Sequence, residues 1–541
     1  MTNTMRHRLL TLALFTTVCI QLQAQKDTTS SSGFFSAALN TPKMMAARHE
    51  FNDNNMRGAL TIYREILATE PNNPAALYGT AECHYNLKKY TLALDYLDKA
   101  VKANAEVSNR TNFFYGEIYH RTGKLDQAIE SFEKFCKSTK SSSYDHQEAL
   151  RHIRECRFAK EMISQPADVS IDNLGDAINT RFDDYAPSIT ADGKMLVFTS
   201  RRNDTKGGKI DESGDYKFFE DVYYSVHDDE SGTWTNATGV EGELNTETYD
   251  AVLSIFPDGT GMYVYKNTVN TTGDIYLSRF NKTEGTWKAA EKMPRPINTS
   301  YFEGSISMTE DGNTVYFISE RPEGFGQGDI YVSTKKGSNW SSPKNLGKVL
   351  NTDMDEKFVF VHPNGRTLYF SSNGHPTMGS YDIFKTEYVN GEWSVPINLG
   401  YPINTVNEES TFTLTKDNQT LYIAAEYDNS YGERDIYRID VSRYPLLSAG
   451  YDSNSFGQIL CTVTDMNDKP VKDALVRIYK QNTSYMITET KTDKLGRAKV
   501  NLPGDLTYKV VISIDEMIDE REVHIKLKKD AETVEKVNVK F

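Results

Sequence analysis

The chain has 541 residues, more than one core can organise, so two to four domains are expected. Its formal charge of −14 argues against nucleic-acid binding, which needs clustered Lys and Arg to neutralise phosphates. Tyr (32) and Phe (25) are plentiful beside 4 Trp, a balance that suits half-buried strands.

At the N-terminus, Arg6 and Arg8 precede a short apolar run, Leu9–Ile20, and the sequence LQAQ puts the small residue Ala24 before a cleavage point. This reads as a signal peptide over 1–24, then a linker over 25–39. The run is too short for a permanent membrane span. The expected product is an exported, periplasmic protein that begins near Gln25, with outer-membrane association open. Lipid attachment at Cys19 is the competing route, although Val18 stands where that signal has Gly, Ala or Ser. Cys83, Cys136, Cys156 and Cys461 form no CxxC pair, so they read as apolar filler rather than metal ligands. A disulfide involving Cys83 or Cys136 stays open.

Over 40–165 apolar residues recur at helical spacing. Small Ala81, Ala93 and Ala100 are echoed upstream by Ala47, Ala59 and Ile66, and downstream by Gly116, Ala128 and Phe135. A period of 34 to 35 residues with small residues at fixed places resembles tetratricopeptide repeats. The small positions let paired helices lie close, and a larger side chain there overpacks. The stretch SYDHQEALRHIRECRFAKEMI then reads as a capping helix. In this repeat family the concave groove is lined from the first helix of each pair. The matching positions here are Tyr78, Glu82, Tyr85, Asn86, Phe113, Glu117, His120 and Arg121. They either bind a peptide through aromatic anchors or pack against a neighbouring domain.

Over 168–445 one phrase is written five times. Its turn pairs are Asp192-Gly193, Asp258-Gly259, Asp311-Gly312, Asn364-Gly365 and Asp417-Asn418, with the last three intervals each 53 residues. Asn179, Asn245, Asn298, Asn351 and Asn404, each followed by Thr, recur in step, as do DVYYS, DIYLS, DIYVS, DIFKT and DIYRI. Trp234, Trp287, Trp340 and Trp393 each stand 11 residues before an Asn-Thr pair. Each unit reads as four short strands with a tight Asp-Gly hairpin whose two turn positions tolerate positive φ. Such units predict propeller blades. Asn173-Leu174-Gly175 parallels Asn398-Leu399-Gly400, so the first strand is expected to complete the fifth blade. The first interval, 66 residues, carries an extra segment near NDTKGGKIDESGD, read as a polar surface loop. Asp184, Asp250, Glu303, Glu356 and Glu409 each stand eight residues before a turn. They are either hydrogen-bonded to a neighbouring blade or a cation site at a channel mouth. The units resemble the PD40 propeller repeats of TolB-type periplasmic proteins, a likeness of fold rather than of function.

Residues 456–541 alternate apolar and polar between turn signals and predict a small all-β domain. Thr492, Asp493 and Gly496, with Tyr508, resemble carboxypeptidase regulatory-like domains, which are non-catalytic sandwiches. The predicted class is therefore multidomain α + β: tetratricopeptide solenoid, five-bladed propeller and sandwich.

No HExxH, GxSxG or P-loop occurs, and His362 and His375 lack recurring partners, so no catalytic residue, metal or cofactor is expected. The domain order resembles the PorE family, periplasmic accessories of type IX secretion in Bacteroidetes. That resemblance implies a scaffold touching several envelope proteins. Members usually carry a lipid-anchored Cys and an OmpA-type peptidoglycan-binding domain, and no such domain follows the sandwich here, which puts cell-wall binding in doubt. A TolB-like or protease-associated peptide filter and an exported surface protein are the competing classes.

Overall fold

A computed structural model describes residues 42–212, 214–267, 273–449, 455–481, 486–528 and 533–541. The signal peptide, the linker and Cys19 lie outside the described residues. The chain forms two compact units. One holds residues up to Glu161 with two short segments, Gly208–Phe219 and Met378–Ser380, and the other holds the rest.

The first unit is built from α1 (Pro42–Asn52), α2 (Met56–Thr69), α3 (Pro74–Asn86), α4 (Tyr90–Ala103), α5 (Thr111–Arg121), α6 (Leu125–Ser138) and α7 (Tyr144–Ser164). Local chemistry starts two of these helices: Asn55 Oδ1 accepts Gly58 N at 2.9 Å, and Asn73 Oδ1 accepts Ala76 N at 3.0 Å with Pro74 as the next residue. Ala47, Ala59, Ala81, Ala93, Ala100 and Ala128 are all fully buried, as the small-residue pattern requires. At Gly116 an added Cβ would stand 2.6 Å from the Phe132 ring, and at Gly79 it would stand 2.4 Å from Tyr63. Packing has thus used the missing side chains to bring α5 against α6 and α3 against α2. The insertion read as a free polar loop is partly packed instead: Asp211 is buried and Ile210 bridges to Phe218.

The second unit opens with five antiparallel sheets. The first strands of the sheets are Asp184–Ile189, Tyr249–Ile255, Glu303–Met308, Glu356–Val361 and Thr411–Leu414. These strands touch in series, first to second through fourth to fifth, and the fifth meets the first. The fifth sheet is completed by Ser170–Asn173, which lies antiparallel to Asp435–Asp440 with Ser170 opposite Asp440 and Asn173 opposite Tyr437. Asn173 Nδ2 donates to Asp435 at 2.7 Å, as Asn345 does to Asp329 and Asn398 to Asp382. The closing strand therefore reproduces the bonds of its counterparts as well as their sequence.

The repeated turn is wider than a two-residue hairpin of type I′. Gly193, Gly259, Gly312 and Gly365 have φ of 67 to 72°, and Asn418 has 60°, while the preceding Asp or Asn is not left-handed. The physical reason is an Asx turn. Asp192 Oδ1 accepts Lys194 N, Asp311 Oδ1 accepts Asn313 N and Asn364 Oδ1 accepts Arg366 N, each at 2.8 to 3.0 Å. Only the second residue then has to turn left-handed.

Beyond residue 455 two more sheets face each other. Phe456–Thr464 pairs with Arg497–Pro503 and, in parallel, with Val534–Lys540. Leu475–Lys480 and Thr507–Ile514 form the centre of a four-stranded sheet. Ile459, Cys461, Val476, Ile478, Val510 and Ile512 fill one shared core. Thr492 Oγ1 bonds Val471 O at 2.7 Å, and Asp493 Oδ1 accepts Leu495 N and Arg497 N. At Gly496 a Cβ would meet Val463 O at 2.3 Å, so the motif is a tight turn pressed on its neighbour. Val395 N, from the fourth sheet, donates to Asn501 O at 3.1 Å and joins this core.

Candidate functional site

The groove positions lie on α3 and α5. Tyr78 and Tyr85 are half-buried and both lean on Phe114, with ring centroids 5.6 and 5.4 Å away. Burial pushes both phenols up from their ordinary value. Glu82 pairs with Arg48 of α1, one repeat upstream, at 2.5 Å, and its backbone carbonyl accepts Asn86 Nδ2 at 2.8 Å. Burial also raises the Glu117 carboxyl, against the pull of His152 and Arg110.

Two predicted groove residues face inward. Phe113 is 4% exposed and packs edge-on to Phe132 and Phe135, so it is a core residue and not an anchor. The reason is its place on α5, next to Phe114, where the helix turns Phe113 towards α6. His120 is buried, its Nε2 2.7 Å from the Met378 carbonyl, and burial lowers its pKa to about 3. Arg121 lies close enough to Tyr85 to interact with its hydroxyl.

The sequence reading passed over α7 as a cap. In the structure His152 and Glu155, three residues apart and so on one helical face, meet His120. The three bring one donor atom each to within 4.8 Å of one another, the one set of this kind among the described residues. Glu155 is also ion-paired to Arg151. Burial opposes ionisation of Glu155, but Arg151 and His152 hold its carboxyl well below the usual range. The i, i+3 spacing of His and Glu was the available signal. The partner His120 could be added only by tertiary packing.

The five repeated acids are fully buried. Each accepts the hydroxyl of the Thr four residues earlier, Thr180, Thr246, Thr299, Thr352 and Thr405, at 2.6 to 2.8 Å. The Asn before each Thr makes a two-way bond with the backbone of Ile436, Val222, Ile275, Ile330 or Ile383. Asn thus pins one sheet and Thr pins the next. Each acid's own N–H donates to a carbonyl of the preceding sheet at 2.9 to 3.3 Å. The main chain of each acid is thus bonded to the neighbouring sheet, and the carboxylate is not. The carboxylates are held by the Thr of their own linker, and their burial corrects the other reading, an open ring of charge for a cation. Asp184, Asp250 and Glu303 have Arg202, Lys266 and Arg321 beside them. The places of Arg202 and Arg321 are taken by Gly374 and Tyr427 near Glu356 and Glu409, where among the described residues no ion pair forms. Burial raises both of these carboxyls to about 8.

At the turn ends, the five first strands enclose a cavity of ≈ 60 Å³ that includes Ser188, Ser254, Ser307, Phe360 and Thr413. A water needs about 10–15 Å³ by the same measure, so the space holds a few waters and no peptide. The four described cysteines are free thiols, so no disulfide involves Cys83 or Cys136. No helix among the described residues is long and apolar enough to cross a membrane.

A family model described as anaphase-promoting complex, cyclosome, subunit 3 matches residues 52–135, from the end of α1 through most of α6. No curated protein matches the chain. Among solved structures, TolB from Acinetobacter baumannii is 13% identical with a TM-score of 0.30, over 57% of this chain and 72% of that one. An α-L-arabinofuranosidase from Podospora anserina is 14% identical with a TM-score of 0.31, over 50% and 92%. A periplasmic gluconolactonase from Pseudomonas aeruginosa is 13% identical with a TM-score of 0.24, over 65% and 88%. Likenesses this weak say nothing of activity. The chain joins a helical, tetratricopeptide-like region to a large β-rich region.

Proposed function

We propose that this chain is a non-enzymatic scaffold of the periplasm that gathers envelope proteins, in the manner its resemblance to type IX secretion accessories implies. In this reading 40–165 is a tetratricopeptide solenoid, 168–445 a five-bladed propeller closed by Ser170–Asn173, and 456–541 a regulatory-like sandwich. The observation that carries it is the helical repeat with a polar and aromatic edge, Tyr78, Glu82, Tyr85 and Asn86, left partly open on α3. Helical repeats of this kind are interaction modules, and half-buried Tyr is a common anchor. Phe113 and His120 leave the set of contact residues because the core uses them. The proposal places no nucleic acid among the partners and makes no use of a transmembrane helix. Capture from crosslinked envelopes with Tyr85→Ala beside the parent chain tests it. Recovery of secretion-system subunits, reduced severalfold by the variant, is expected. Recovery of a peptidase alone, or capture indifferent to Tyr85, would overturn it.

A further inference from the structure

We propose that His120, His152 and Glu155 form a site for a borderline divalent cation of the zinc type. The three donor atoms already lie within 4.8 Å of one another, on two helices fixed by packing. A zinc ion with two imidazoles and a carboxylate keeps one position open. The surroundings resemble the outer shell that metal-bound histidines require. The Met378 carbonyl, 2.7 Å from His120 Nε2, can only accept, so Nε2 carries the proton and Nδ1 presents its lone pair. His152 Nδ1 and Glu155 Oε2 stand 2.8 Å apart and now share a proton. An entering ion takes the place of that proton. With the ring in its neutral form, that proton moves through water to His152 Nε2 as the ion takes Nδ1, and no proton is released; an imidazolium would release one. The second Glu155 oxygen stays on Arg151, which orients the carboxylate.

The local charge permits a cation. Glu117, Glu148 and Glu155 face Arg110, Arg121 and Arg151 in the network around these rings, three carboxylates against three arginines, so no excess of positive charge opposes an ion. His152 is the least buried of the three, with His120 and Glu155 behind it. The free fourth position would take water, or a carboxylate offered by a bound partner. Cys156, although adjacent in sequence, is not part of the donor set.

The test uses the full mature chain, tag removed and dialysed against chelator. Zn²⁺ is titrated by calorimetry, and Co²⁺ is used as a spectroscopic probe. One equivalent of Zn²⁺ should bind, and Co²⁺ should show visible bands of low-symmetry nitrogen and oxygen coordination. His152→Gln, a change at the half-buried member, should weaken Zn²⁺ by more than about tenfold, and Glu155→Gln should do the same. Arg151→Gln removes the group that orients the Glu155 carboxylate and should weaken the affinity less than His152→Gln does. Circular dichroism checks that each variant folds, and if Glu155→Gln does not, the His152 variant decides. Absence of saturable one-to-one binding overturns the proposal. So does binding indifferent to both His152→Gln and Glu155→Gln, which would make the trio a purely structural network.

Discussion

Glu356 and Glu409 show what one missing cation does. Burial holds their protons to about 8, whereas an unfolded glutamate releases its proton near about 4.3. Between those values these two groups carry more protons in the folded chain than in the unfolded one, so the stability they contribute is fullest below about pH 4.3 and is lost as pH rises through about 8. The double variant Glu356→Gln, Glu409→Gln stays neutral and keeps an acceptor for Thr352 and Thr405. Its Tm should change less with pH between about 5 and 8, and at pH 8 it should be the more stable chain. A slope equal to the parent's would show that the two carboxyls titrate normally. Asn351 offers a second test. Its amide makes a two-way bond with Ile330, whose carbonyl also accepts Leu346 N, so Asn351→Ala leaves the buried Ile330 N–H unmet and should cost roughly 1–3 kcal/mol by urea unfolding. Asn-Thr pairs and acids could be located from the sequence because identical bonds demand identical residues at one spacing. The ion-pair differences between sheets could not, since Lys266 reaches Asp250 from a different offset than Arg202 reaches Asp184.

Among elements, α5 separates what a helical pattern reveals from what it hides. The small Gly116 was legible because period and size together mark a close helix approach. The direction of Phe113 was not, because a groove position in the family becomes a core position here through Phe132 and Phe135. Phe113→Ala should therefore cost roughly 3–5 kcal/mol of stability, whereas Tyr85→Ala should cost less and act on partner capture. Thermal unfolding of the two variants side by side checks this. A Phe113 variant as stable as the parent would return that ring to the groove. The strand Ser170–Asn173 was legible from its Asn-Leu-Gly register, since Asn173 repeats the bonds of Asn345 and Asn398. The turn type was not, because Asp-Gly permits both a type I′ hairpin and an Asx-capped turn, and only the side-chain bonds decide. Removing residues 168–175 should expose Asp435–Asp440 as a free edge, lower the Tm and promote aggregation. Unfolding and light scattering equal to the parent's would count against the strand's closing role.

For the molecule as a whole, repetition made the β-rich region readable and singularity made the metal trio unreadable. Five copies of one linker announce themselves, but His120 and His152 come from different helices with no second copy to compare. The pairing of Ser170–Asn173 with Asp435–Asp440 has a consequence in time. All the other strands of the five sheets lie between these two in sequence, so the array stays unsealed until both ends of that stretch are present. Sealing is therefore a length gauge. A chain that stops short of Asp435 keeps two unpaired edges, the feature that chaperones and proteases find, while a chain that reaches Asp440 hides both in a single step. A truncated chain should therefore differ from the full one in edge exposure, which limited proteolysis of the two side by side would read.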